Sequence, residues 1–123
     1  MKKKTTPNPR WRSGRRRVYQ QRFRAMQAPC GICHGKILGE INYDSSDPKD
    51  PRSFVIDEII PISRWREAGY ESPQAAADDW NNVRPAHRWC NAMKGNKMNF
   101  NIADLQRKVP KKIKKIIILD GDW

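Results

Sequence analysis

The fold is decided by IDEIIPIS at residues 56–63 and NNVRPAHRWCNAMKGNK at residues 81–97, together with CGIC at residues 30–33. The upstream stretch holds two cysteines separated by two residues, and the last stretch holds a histidine and a cysteine with the same separation. Each pair can offer two ligands from one tight turn, and four sulfur and nitrogen ligands complete the tetrahedral coordination of a structural zinc ion. Zinc is therefore predicted to be bound by Cys30, Cys33, His87 and Cys90.

Two alternatives to this zinc site remain open in the sequence. The three cysteines could be buried or free thiols beside a surface histidine. His34 competes with His87 for the fourth ligand position, although the immediate neighbour of Cys33 is badly placed to close the same tetrahedron.

Four further polar residues lie between or beside the two pairs: Asp57, Glu58, Asn82 and Asn91. They resemble the HNH endonuclease family, whose ββα-metal motif carries an acidic or histidine residue, a catalytic histidine, a middle asparagine and a final histidine or asparagine. IDEIIP is similar to the first strand of that motif, and CNAMKGNK is similar to the start of its helix. The resemblance covers roughly residues 28–100. Asn81 is chemically as good a candidate for the middle asparagine, and only the eight-residue interval to Asn91 selects Asn82.

The resemblance implies a small α+β fold, with a ββα-metal core, a structural zinc, an N-terminal helix and a basic C-terminal extension. It implies a metal-dependent DNA endonuclease that nicks or cleaves DNA, encoded by a phage or a mobile element. Asp57 and Asn91 would ligate the catalytic cation, and their oxygen atoms favour Mg²⁺ or Mn²⁺. Asn82 would orient the general base. Glu58 stands where most members carry the catalytic histidine, and would act as the base or join Asp57 as a ligand.

Other interpretations compete with this site and with this function. Asp57 could cap a turn, and Asn91 could cap the following helix. The chain could be a non-catalytic zinc-stapled DNA-binding accessory module, for instance for phage DNA packaging, in which Glu58 marks lost chemistry. It could also be a zinc-ribbon RNA-binding protein, for which the spacing of the acid and the asparagines has no use.

The charge distribution indicates a nucleic-acid partner. The net charge is +12, and residues 1–29 hold ten Lys or Arg and no acid. Residues 30–82 hold five basic and ten acidic residues, and residues 83–123 hold ten and three. Two basic flanks around an acidic middle are typical of a protein that follows phosphates with its ends and holds a cation at its centre. The residues predicted to contact DNA are Arg15, Arg16, Arg17, Arg84, Arg88, Lys94 and Lys97.

The length of 123 residues favours one domain, predicted at residues 15–109. Residues 1–14 are expected to form a disordered basic arm, and residues 110–123 a basic and apolar extension. The β-branched run beyond Pro110 favours an edge strand, with a membrane-surface segment or an oligomer contact as alternatives. No secretory or membrane-spanning segment is recognisable, so we expect a cytoplasmic protein, in the host cell if phage-encoded, with no membrane partner.

Local patterns predict several elements within the domain. We expect a helix over residues 15–28, a strand over 83–86 and a helix from Asn91. Ser72 before Pro73 predicts a helix start, and so does Asn101. Trp65, Trp80 and Trp89 are expected in the core, with base stacking as the alternative.

Overall fold

The computed structural model describes residues 14–97 and 101–112 of the chain. In this part, four α-helices and a two-stranded antiparallel sheet form a small α+β arrangement. The predicted basic arm, apart from Gly14, lies outside the described residues. Of the strand predicted beyond Pro110, Lys111 and Lys112 are described and are helical, so the prediction is wrong for these two residues. The rest of that strand lies outside the described residues.

The elements follow one another along the chain with long connections before and between the two strands. The strands are β1, Phe54–Glu58, and β2, Val83–His87. Short 3₁₀ helices lie at Ile62–Arg64 and Trp80–Asn82. The α-helices are α1, Arg15–Met26, α2, Pro73–Asp78, α3, Arg88–Lys94, and α4, Ile102–Lys108.

The register of the sheet places the acidic end of β1 against the basic start of β2. Phe54 lies opposite His87, and Asp57 lies opposite Arg84. The side chains of Phe54 and Ile56 are buried, which is the environment that aromatic and β-branched residues favour in a strand. One end of the strand pair, at Phe54 and His87, is therefore hydrophobic and lies beside the cysteines. The other end, at Asp57 and Arg84, is charged.

Helix α1 packs one apolar face against the core. Tyr19 and Phe23, four residues apart, are buried, whereas Val18 and Met26 are exposed. The ring of Phe23 stacks on Trp80 with centroids 4.9 Å apart, and the Tyr19 ring lies 5.0 Å from the same indole. Trp80 thus packs against the core, as predicted.

The end of α1 comes slightly earlier than the sequence predicts. The helix ends at Met26, and Gln27 adopts a left-handed conformation with φ of 49°. Proline at position 29 disfavours helical geometry in the preceding residue, so Ala28 cannot extend the helix.

Two helix starts are confirmed in detail. The Ser72 hydroxyl accepts a hydrogen bond from the N–H of Ala75 at 3.1 Å, and Pro73 occupies the first helical position of α2. The Asn101 side chain accepts a hydrogen bond from the N–H of Ala103 at 2.9 Å at the start of α4. These side chains satisfy N–H groups that have no partner inside the helix.

Helix α3 begins three residues before the predicted position, at Arg88 rather than at Asn91. The N–H groups of Arg88 and Trp89 bond to the carbonyl oxygens of Ser53 and Pro51 at 2.9 and 3.1 Å. Because the loop before β1 satisfies these groups, the helix needs no side-chain cap. The prediction that Asn91 starts the helix is therefore wrong, as is the alternative that Asn91 caps it.

No helix in the described ranges is both long and apolar enough to cross a membrane.

Candidate metal centre and the acidic end of strand β1

Three cysteines and a histidine come together where the turn at residues 30–33 lies against the junction between β2 and α3. One ligand atom from each side chain lies within 4.8 Å of the others, and all four residues are buried. Nδ1 of His87 lies 3.4 Å from Sγ of Cys33 and 3.6 Å from Sγ of Cys90. Three sulfurs and one imidazole nitrogen are a donor set that structural zinc sites use. The group Cys30, Cys33, His87 and Cys90 could hold a metal ion such as zinc.

Backbone N–H groups aim at the first sulfur of this cluster. Sγ of Cys30 accepts hydrogen bonds from the N–H groups of Ile32 and His87, both at 3.4 Å. Gly31 also donates its N–H to the carbonyl of Pro85 in β2 at 2.8 Å. A Cβ at Gly31 would lie 2.5 Å from Cδ of Arg84, so only glycine lets the turn approach β2 this closely. The local backbone thus directs two N–H donors at the sulfur of Cys30.

The protein environment also shifts the ionisation of the cluster. Hydrogen bonds from Cys30 and Cys90 hold the pKa of Cys33 well below its usual range. The interactions with Cys30 and Cys33 raise the pKa of Cys90. Burial lowers the pKa of His87, but Cys30 and Cys33 raise it more, to about 9. A divalent metal bound here would displace protons from the cluster, because its ligands must be deprotonated.

The two histidines differ as the zinc prediction requires. His34 is exposed, with φ of 53°, and does not belong to the cluster. His87 is fully buried in it. Its Nε2 has no hydrogen-bond partner within the described residues, so the imidazole is held by the cluster and by packing.

Asp57, the predicted cation ligand, is buried between two basic side chains. It is 2% exposed. Nε of Arg84 lies 2.8 Å from Oδ2 of Asp57, and Nζ of Lys94 lies 3.2 Å from Oδ1. Both carboxylate oxygens thus have a cationic partner, and in the described part of the chain no backbone N–H donates to the side chain of Asp57, so it caps no turn there. Burial of a carboxylate is costly unless it is paired in this way.

Glu58 follows Asp57 at the end of β1 and is also buried, at 6% exposure. Oε1 of Glu58 lies 3.5 Å from Nη1 of Arg16 on helix α1. Its backbone carbonyl accepts a hydrogen bond from Nζ of Lys94 at 3.0 Å. The predicted base is therefore in contact with a basic residue of the N-terminal helix, a long-range pairing for which the sequence offers no signal.

Asn82, and not Asn81, is the asparagine that braces the segment after β1. Its Oδ1 accepts the N–H of Ile60 at 2.7 Å, and its Nδ2 donates to the carbonyl oxygens of Ile60 and Ala76 at 3.1 and 3.2 Å. Asn82 is 2% exposed, whereas Asn81 is exposed. The side chain fixes the backbone two residues beyond Glu58.

Asn91 lies in the middle of α3, half-buried, and its carbonyl accepts the N–H of Gly95 at 3.0 Å. Within the described residues no hydrogen bond joins Asn91 to Asp57. Lys94 is 1% exposed and reaches Asp57 instead. The helical interval of four between Cys90 and Lys94 puts both on one face, and this spacing is a signal from which the burial of Lys94 could have been predicted.

The basic residues predicted to contact DNA fall into two groups. Arg15, Arg17 and Lys97 are exposed. The others make contacts within the protein: Arg16 with Glu58, Arg84 and Lys94 with Asp57, and Arg88 through Nε with the Ser53 hydroxyl at 2.7 Å. The side chains of the exposed group lie at the protein surface.

Comparison with known proteins gives no family, because no family model, no curated protein and no solved structure matches the chain.

Proposed function

We propose that the chain is a metal-dependent DNA endonuclease of the HNH type, from a phage or a mobile element. A structural zinc ion would stabilise its fold. The observation that carries the proposal is the order of elements around the metal cluster. Strand β1 carries Asp57 and Glu58 at its end, pairs with β2, and β2 runs directly into α3, which carries Asn91. This order of two strands and a helix is what the HNH resemblance implies.

The residues at this place offer the groups that phosphodiester hydrolysis needs. When bound, Mg²⁺ or Mn²⁺ would neutralise the charge that develops on the phosphate. Asp57 and Asn91 are the proposed oxygen ligands, and Glu58 is the proposed general base that takes a proton from water. Asn82 keeps the backbone beyond Glu58 in place through its two hydrogen bonds to Ile60. Fixed geometry of this kind contributes because a small misplacement of a reacting group slows catalysis strongly.

The proposed substrate is DNA because the surface near these groups is basic. Arg15 and Arg17 open α1, the helix whose Arg16 contacts Glu58, and both are exposed. Lys97 follows α3 and is exposed as well. Contacts of Lys and Arg to phosphate position a protein on DNA without reading its sequence. We therefore propose weak sequence preference.

One observation favours a second function, a non-catalytic DNA-binding accessory module, for instance in DNA packaging. Both oxygens of Asp57 are already paired, with Arg84 and Lys94. A carboxylate neutralised by two cations attracts a further cation weakly, because the local charge is no longer negative. In such a module the zinc cluster would hold the fold and the basic surface would bind DNA. Asp57 and Glu58 would stabilise the fold through their ion pairs.

Supercoiled plasmid separates the two functions. Zinc-loaded protein is incubated with plasmid and with Mg²⁺, Mn²⁺ or no added divalent ion, without chelator, since a chelator would remove the zinc. The nuclease predicts nicked or linear plasmid only with Mg²⁺ or Mn²⁺, and loss of cleavage with retained DNA binding in Glu58→Gln. Glu67→Gln is the matched control, because Glu67 is exposed and lies 3.8 Å from Arg64 in a surface ion pair.

Contaminating nuclease is excluded by preparing both variants in parallel with the wild-type protein. Wild-type protein that binds DNA but leaves the plasmid intact with either ion would contradict the nuclease and support the accessory module.

A further inference from the structure

Lys94 is the largest of the fully buried side chains in the described residues, at 1% exposure. An ammonium group at such a position is unfavourable unless partners replace its water. Lys94 is the last residue of α3, and the helical spacing from Cys90 turns its side chain toward the sheet. The helix that supplies Cys90 to the metal cluster therefore also directs Lys94 into the interior.

The partners of the ammonium are oxygen atoms at the acidic end of β1. Nζ lies 3.2 Å from Oδ1 of Asp57 and 3.0 Å from the carbonyl oxygen of Glu58, to which it donates a hydrogen bond. The second carboxylate oxygen of Asp57 is held by Nε of Arg84 at 2.8 Å. A carboxylate and a peptide carbonyl are the ligands that hard divalent cations prefer. The positive charge of Lys94 thus lies between two groups that could bind such a cation.

We propose that the Lys94 ammonium is a tethered cation that excludes divalent ions from Asp57, so that an ion binds there only by displacing it. This rests on the proposed function, in which Asp57 is a ligand of the catalytic ion. The two positive charges compete for one carboxylate oxygen, and the tethered one has the advantage because it needs no recruitment from solution. Lys94 thereby regulates metal loading at the proposed site.

The test measures metal binding and not cleavage. Zinc-loaded, DNA-free protein is titrated with Mn²⁺, and free Mn²⁺ is followed by electron paramagnetic resonance, while zinc content is measured before and after. Lys94→Met keeps an unbranched side chain of similar length and removes the charge. We expect it to bind one Mn²⁺ about tenfold or more tightly than the wild-type protein, since a nearby like charge is removed.

Two controls locate the gained affinity. Lys49→Met removes an exposed lysine in the loop before β1 and should leave Mn²⁺ affinity unchanged. Adding Asp57→Asn to Lys94→Met should abolish the gain, because the carboxylate that binds the ion is removed. Persistence of the gain in the double variant would place the ion elsewhere and overturn the proposal.

Loss of the buried ammonium could prevent folding in the absence of an ion, so circular dichroism with and without Mn²⁺ accompanies the titration. In that case Mn²⁺ is expected to restore the folded spectrum, since an ion that binds only the folded state stabilises it. Equal Mn²⁺ affinities of wild type and Lys94→Met, or a Lys94→Met protein that Mn²⁺ neither binds nor folds, would overturn the proposal. Failure of the nuclease proposal shows instead as intact plasmid, whatever the Mn²⁺ titration gives.

Discussion

Replacement of Asn82 by alanine tests the segment that connects the end of β1 to α2. The change removes three hydrogen bonds: Oδ1 accepts one from the N–H of Ile60, and Nδ2 donates two, to the carbonyl oxygens of Ile60 and Ala76. Each contributes about 0.5–1.5 kcal/mol net, so the expected loss is about 2–4 kcal/mol. This is a large part of the about 5–15 kcal/mol that stabilises a typical domain.

Urea denaturation of the zinc-loaded protein measures this loss. Asn81→Ala is the matched control, since Asn81 is the exposed neighbour and the rejected alternative for the middle asparagine. Surface changes of this kind stay within about 0.5 kcal/mol. If Asn82→Ala were as stable as Asn81→Ala, the Asn82 side chain would not stabilise this segment. The choice between the two asparagines would then be open again.

Three further predictions concern the arm, the base and a helix cap. Deleting residues 1–14, which hold five Lys or Arg, should weaken DNA binding, measured by fluorescence anisotropy. The magnitude of the slope of log affinity against log salt should fall by up to about 0.9 for each phosphate that the arm no longer neutralises. An unchanged slope would mean that the arm has no role in binding. If Glu58 is the base, Glu58→Gln should abolish cleavage, and Glu58→His should cleave with a rate that falls from pH 7.5 to 6 as imidazole protonates; equal cleavage by wild type and Glu58→Ala would reject the role. Ser72→Ala should cost about 1 kcal/mol by loss of the cap on Ala75, whereas the exposed Ser46→Ala should not, as thermal unfolding can compare.

The cysteine pairs, the helix caps and the presence of helix α1 could be predicted because each depends on residues close in sequence. Two ligands two residues apart share a turn, and the hydroxyl of Ser72 reaches the N–H of Ala75 whatever the rest of the fold does. Tyr19 and Phe23 follow helical spacing. Such local rules need no knowledge of the tertiary structure.

The charged site could not be predicted in the same way, because its contacts join distant parts of the chain. The pairing of Asp57 with Arg84 depends on the strand register, and that of Glu58 with Arg16 depends on how α1 packs against the core. The start of α3 depends on the carbonyls of the loop before β1. Lys94 is the exception, since its spacing from Cys90 indicates a buried face. The positive charge of Lys94 by itself favours exposure to solvent, and its ion pair with Asp57 makes burial possible instead.

The zinc content of the purified protein tests most directly whether the cysteine and histidine cluster holds the domain together. Mass spectrometry of the metal in wild-type protein should give one zinc per chain, and Cys90→Ser should lose it. Structural zinc contributes about 10–16 kcal/mol, comparable to the whole stability of a domain, so Cys90→Ser is expected to lose its folded circular dichroism spectrum as well. A folded wild-type protein without zinc, or a folded Cys90→Ser protein, would contradict the account.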